Sequence, residues 1–178
     1  MILTGSAIRQ SVENGDILID PFDPAQINPN SYDLRLASHV TQYTAEILDA
    51  AIENPTISYE IPPGGLVLQP HQLYLMATKE RTSTSKYVPG VEGRSSTGRL
   101  GLSVHVTAGF GDIGFDGTWT LEVTVIKPLR IYANMRICQI FFETCSDVKP
   151  EDLYKGKYTG QQRPRPSRIW NERDEWLR

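Results

Sequence analysis

Cysteine is scarce: the 178 residues contain two, Cys138 and Cys145, separated by an odd number of positions in one apolar segment. On a strand that separation points them to opposite faces, so a disulfide framework does not fit and two buried, reduced thiols are expected. Histidine is scarce too, with His39, His71 and His105 scattered and no Cys-x-x-Cys pair beside them, so the usual zinc site lacks ligands. No uninterrupted apolar run approaches the roughly 18 residues of a membrane helix. Met1-Ile2-Leu3 is cut off at once by Thr4 and Gly5, which leaves no signal-peptide core and makes the cytoplasm the expected compartment. There is no basic excess either. Eighteen Lys and Arg stand against 21 Asp and Glu, a net charge of -3 that argues against a general nucleic-acid binder. An anionic ligand therefore needs a local basic patch. Neither a Gly-x-Ser-x-Gly elbow nor a P-loop is present.

What the chain does have is punctuation: 14 Gly and 12 Pro in a length suited to one domain. Ser6 to Asn14 reads as a short helix, with Ser6 as N-cap, Ile8 and Val12 one turn apart and Gly15 as a stop. After it the apolar period falls to two, in Ile17-Leu18-Ile19, Tyr32 to Leu36, Leu66-Val67-Leu68 and Leu73 to Ala77. Turn signals such as Asn28-Pro29-Asn30 and Pro62-Pro63-Gly64-Gly65 separate these runs, which predicts an all-β sandwich, jelly roll or barrel over residues 1–150. Beyond Lys149-Pro150 the chain turns polar. Lys155 to Arg168 holds five basic residues and no acid, so residues 151–178 read as a mobile, solvated C-terminal arm.

Three segments carry possible chemistry. In Trp119 to Val125 the apolar residues share one strand face while Thr120, Glu122 and Thr124 share the other, leaving Glu122 as that face's lone acid. Toward solvent it is unremarkable; toward a cavity, a carboxylate on a rigid strand suits general acid and base work. Gly93 to Gly101 places small residues and hydroxyls between Arg94 and Arg99, which suits either a polar loop or an anion cradle. His105 to Phe115 is rich in Gly and carries Asp112 in a tight turn, where an acid usually caps its own backbone. His105, between Val104 and Val106, reads as a hydrogen-bonded strand histidine.

Taken in order, EGRSSTGRLGLSVHVTAGFGDIGFDGTWTLEV over residues 92–123 closely resembles the core motif of the dCTP deaminase family, within the trimeric dUTPase-like superfamily. NPNSYDLRL near the start resembles that family's early strand, and GKYTGQQRPRPSR its C-terminal nucleotide-covering arm. The resemblance implies a homotrimer of distorted jelly-roll barrels, each with a short N-terminal helix, and hydrolytic deamination of dCTP at sites between subunits. It assigns proton shuttling to Glu122, orientation of the attacking water to Ser95 and the Ala108 backbone, and a place beside them to Arg99. Arg94, Ser95 and Ser96, with Thr97 and Gly98, fall in the segment that meets a neighbour's triphosphate. Asp112 matches the acid on the deoxyribose 3′-hydroxyl, Thr120, Leu121 and Glu122 the strand at the base, and Gln139, Lys157 and Gln161 further nucleotide contacts. Tyr154 stands three residues before Lys157, closer than the family's tyrosine. Mg²⁺ is expected on the substrate phosphates, no zinc is expected, and dTTP is the expected inhibitor.

The product expected from these residues is dUTP with ammonia, because no residue is identified that would place a second water at the α-phosphorus. Gly109-Phe110 resembles the dUMP-forming branch, which keeps dUMP, ammonia and pyrophosphate as the alternative. A dUTPase and a non-catalytic nucleotide sensor complete the field; a proton-shuttling glutamate speaks against the sensor.

Overall fold

The computed structural model describes residues 1–105 and 108–177. Val106, part of the expected alternation around His105, lies outside them. Helix α1 covers Gly5–Glu13, and its N-cap is Thr4, whose extended backbone lets Oγ1 accept the Ala7 N–H at 3.3 Å. That corrects the expected Ser6, which sits inside the first turn. Ile8 is fully buried, and Gly15 leaves the helix at φ +78°.

Among the described residues ten strands follow: β1 Leu18–Asp20, β2 Tyr32–Tyr43, β3 Thr56–Glu60, β4 Leu66–Leu68, β5 Tyr74–Ser83, β6 Tyr87–Gly93, β7 Leu102–Ser103, β8 Asp116–Val125, β9 Leu129–Ile131 and β10 Arg136–Thr144. The main sheet runs β6-β10-β2-β5-β8-β7, with β1 added to β5 and β3 to β2; β4 and β9 form a separate pair, and all pairings are antiparallel. The glycine-rich segment before β8 covers the β6 edge, through Val91 N–H to Gly109 O at 2.8 Å and Gly111 N–H to Pro89 O at 2.9 Å. Only glycine fits there: a Cβ on Gly109 would lie 2.6 Å from Val91 O, and one on Gly111 2.3 Å from the Trp119 ring. The result is the expected all-β architecture, a nearly closed barrel with its edge protected.

The barrel is filled by Tyr32, Leu34, Met76, Leu121, Ile140 and Phe142, all at most 1% exposed. Strand β8 alternates as expected, with Trp119, Leu121, Val123 and Val125 buried and Thr120, Glu122 and Thr124 half-buried. The β5 register shifts against β8 between Ala77 and Arg81, and in that irregular stretch Glu80 is buried completely. Its carboxylate accepts the Arg35 backbone N–H at 2.8 Å, Arg35 Nε at 2.6 Å and Gln26 Nε2 at 3.3 Å. Cys138 is buried, and burial pushes its thiol pKa up. Cys145 is exposed, against the expectation of two buried thiols, because it falls one residue past the end of β10.

The C-terminal arm is also not simply solvated. Gln161 is 4% exposed, and Thr118 N–H donates to its carbonyl at 2.9 Å while Gln161 Nε2 donates to Thr118 O at 2.7 Å. Gly160 N–H reaches Asp116 O at 2.7 Å, so the arm runs along β8. Among the described residues no helix is long and apolar enough to cross a membrane.

Candidate active site

Where the arm crosses the outer face of β8 it roofs a cavity of about 450 Å³ lined by Ala108, Asp112, Thr120, Glu122, Tyr154 and Gln161. Six residues singled out in the sequence thus converge here, and Glu122 faces a cavity wall. Its Oε2 lies 2.5 Å from Nδ1 of His105, whose side chain is 6% exposed against 35% for Glu122. A donating Nδ1–H fixes one carboxylate oxygen and leaves the other to act on a ligand. Nε2 of His105 is buried without a partner among the described residues. The sequence announces a hydrogen bond for His105 but not this partner, which lies across the β7–β8 connection.

Around that pair the polar groups are sparse and placed. Gln161 Oε1 is buried without a partner among the described residues, an open acceptor on the cavity wall. Thr120 Oγ1 accepts the Arg165 N–H at 3.1 Å and Tyr43 Oη accepts the Ser167 N–H at 2.8 Å, so the arm's backbone closes the cavity mouth. The turn at Asp112 is closed by its carbonyl, which accepts the Phe115 N–H at 3.2 Å, and the residue is exposed at the rim. Tyr154 anchors the arm, its N–H donating to Ile113 O at 2.8 Å and its ring 6.1 Å from that of Phe115. Leu121 points into the core, so only its backbone can meet a ligand.

Arg94, Ser95 and Gly98 line a second cleft, of about 630 Å³, which also takes in His105 and Phe110. The segment is a helical turn, α2 Ser95–Gly98, rather than a loop. Thr97 is buried and its hydroxyl is committed to the Arg94 and Ile137 carbonyls at 2.9 and 3.3 Å, while Ser96 and Arg99 are exposed. Arg94 is tethered: Nε donates to Asp33 Oδ1 at 3.0 Å and one terminal nitrogen to Arg136 O at 3.3 Å. Arg136 approaches Asp33 Oδ2 at 3.5 Å, and the carboxylate between the two guanidinium groups is 1% exposed. Two cations thus share one buried acid beside Ser95, in a cleft that Glu92 and Glu143 also line. Gln139 bonds Ser31 at 2.9 Å and Gly93 O at 3.3 Å, which holds it to the neighbouring strands. Lys157 is in an ion pair with Glu172. Within one chain, therefore, the Ser95 group and the Glu122 group open on different clefts, joined by His105 and by Phe110, which lines both and is 79% exposed.

Among the described residues no three His, Cys, Asp or Glu side chains come together as a metal site.

A family profile described as dCTP deaminase-like matches residues 2–145. Relatives from Clostridium beijerinckii, Leptospira biflexa and Cytophaga hutchinsonii are 51%, 48% and 45% identical, each over 97% of this chain and 98% of its own length, and each is named "dCTP deaminase, dUMP-forming". In fold, the chain is similar to a solved 2′-deoxycytidine 5′-triphosphate deaminase from Agrobacterium tumefaciens, with a TM-score of 0.64 and 22% identity. That match spans 81% of this chain and 48% of that one. The shared name of the relatives overturns the expectation of dUTP as the product. By the length and level of these matches, the chain belongs to the dCTP deaminase-like family.

Proposed function

We propose that this protein converts dCTP and two waters to dUMP, ammonia and pyrophosphate. The observation that carries the reading is identity of about half to dUMP-forming relatives along 97% of the chain. The cavity around Glu122 supplies a matching chemistry. Water must add to C4 of the cytosine ring, and the Glu122 oxygen not engaged by His105 is placed to take its proton. The same carboxylate then returns protons to the ring nitrogen and the departing amine. The Ser95 hydroxyl and the Ala108 carbonyl orient the water, and Arg99 steadies that constellation, replacing metal activation with proximity. A second water displaces pyrophosphate from the α-phosphorus.

The two clefts support a homotrimer with shared sites, in which the Ser95 cleft of one subunit completes the Glu122 cavity of the next. Leu100, Phe110 and Ile126 are 59%, 79% and 77% exposed, an apolar surface that association would cover. In that arrangement Arg94, Ser95 and Ser96, with Thr97 and Gly98 shaping the turn, face the triphosphate. Asp112 takes the 3′-hydroxyl, Thr120 and the Leu121 backbone take the base, and Gln139, Tyr154, Lys157 and Gln161 complete the enclosure. Mg²⁺ travels with the triphosphate, whose oxygens are its main ligands, and supplies charge neutralisation there. dTTP, with the same triphosphate, is the expected competitor, and a cytoplasmic setting suits two free thiols.

Phosphorus NMR of a dCTP reaction, run beside an ammonia assay, tests the product. Pyrophosphate should appear in step with ammonia and with dUMP. Accumulation of dUTP without pyrophosphate would refute the reading.

A further inference from the structure

The basic arm has its own acid. Lys155 to Arg168 carries five cations and no carboxylate, yet past that stretch Glu172 turns back and pairs with Lys157. The contact is built from both sides. Arg168 donates to Lys157 O at 2.8 Å, its backbone N–H donates to Tyr158 Oη at 3.0 Å, and Lys157 Nζ also reaches Arg168 O at 3.5 Å. Glu172 ends the short helical turn Ile169–Glu172, which runs into α3 Arg173–Trp176, and Trp170 Nε1 in that turn is buried without a partner among the described residues. The Glu172 hydrogen bond holds the Lys157 pKa above its ordinary value, so the lysine is charged and already neutralised by this chain.

We infer that Glu172 is a built-in competitor for the substrate phosphates, occupying Lys157 in the free protein until a triphosphate displaces it. The inference rests on the reading of Lys157 as a nucleotide contact. A triphosphate brings about four negative charges against one carboxylate, so it wins the exchange. A ligand with little charge at this position does not. Displacement frees the 169–177 segment from the arm while the arm itself tightens over the cavity, so binding and tail release are coupled. The exposed geometry keeps the competition mild: Lys157 and Glu172 side chains are 30% and 47% exposed.

The experiment uses the full chain, Mg²⁺ buffer and α,β-imido-dUTP, which is neither deaminated nor cleaved. Calorimetry is run on the parent, Glu172→Gln and Lys157→Gln, and hydrogen exchange is followed over 158–168 and 169–177. Glu172→Gln should tighten binding about threefold to fivefold, the range of an exposed ion pair. It should also raise exchange over 169–177 without ligand; in the parent, that rise should require ligand. Lys157→Gln should weaken binding. If Lys157→Gln weakens binding but Glu172→Gln leaves affinity unchanged, the competitor is overturned and the site reading stands. If Lys157→Gln leaves affinity unchanged, Lys157 is no nucleotide contact and both fall. Slower exchange over 169–177 on ligand binding would also overturn the inference.

Discussion

Replacing Glu122 with Gln isolates its proton chemistry. The side chain stands on β8 between the fully buried Leu121 and Val123, and its own half-exposed position adds little to the core, so an amide of equal shape leaves the strand in place. The amide oxygen still accepts from His105 Nδ1, where the carboxylate oxygen now lies 2.5 Å away. What disappears is the basic oxygen facing the cavity. General acid and base groups contribute about 10² to 10⁴ in rate. At 1.36 kcal/mol per decade that is roughly 2.7 to 5.4 kcal/mol of barrier. Ammonia release from dCTP should fall by that factor while affinity for α,β-imido-dUTP, measured by calorimetry, stays within about twofold, since the amide makes no new clash. Turnover within about threefold of the parent would refute the assignment of Glu122 as the proton shuttle.

Two further substitutions probe what holds the site and the barrel. His105→Ala removes the partner of Glu122, a hydrogen bond to a charged group worth about 1.5 to 3 kcal/mol. We expect kcat lowered at least about tenfold with KM little changed, and substantial recovery in His105→Asn, whose amide nitrogen can stand where Nδ1 does; equal loss in both variants would mean a packing role only. Glu80→Ala leaves Arg35 and Gln26 without the carboxylate they surround, and breaking a buried pair in this way costs about 3 to 5 kcal/mol. Urea unfolding at fixed protein concentration should show it, with Glu80→Gln losing less; a loss below about 1 kcal/mol would contradict the burial seen here.

Assigning each matched side chain one role left none for phosphate cleavage, yet the relatives share a dUMP-forming name. Holding a water in line with a phosphorus takes several groups at fixed geometry, which no single residue type announces. The Gly109-Phe110 likeness, with no chemical role attached, pointed the right way.

Local periodicity was enough for α1 and for β8, because a side-chain face repeats every 3.6 or every two residues whatever lies beyond. The sequence by itself therefore determined the class of fold, the family likeness and the polar strand face on which Glu122 stands. Long-range register decided the rest. Glu80 stands on the buried face of β5 with Thr78 and Thr82, but it finds Arg35 and Gln26 across 45 and 54 positions, and Asp33 meets Arg94 and Arg136 only because β2, β6 and β10 lie side by side. His105 finds Glu122 across 17 positions, and Lys157 finds Glu172 where a chain fold-back reverses the arm's apparent solvation. Partners of this kind are set by which backbones come within hydrogen-bond reach after the barrel closes, a distance that no local pattern of residues encodes.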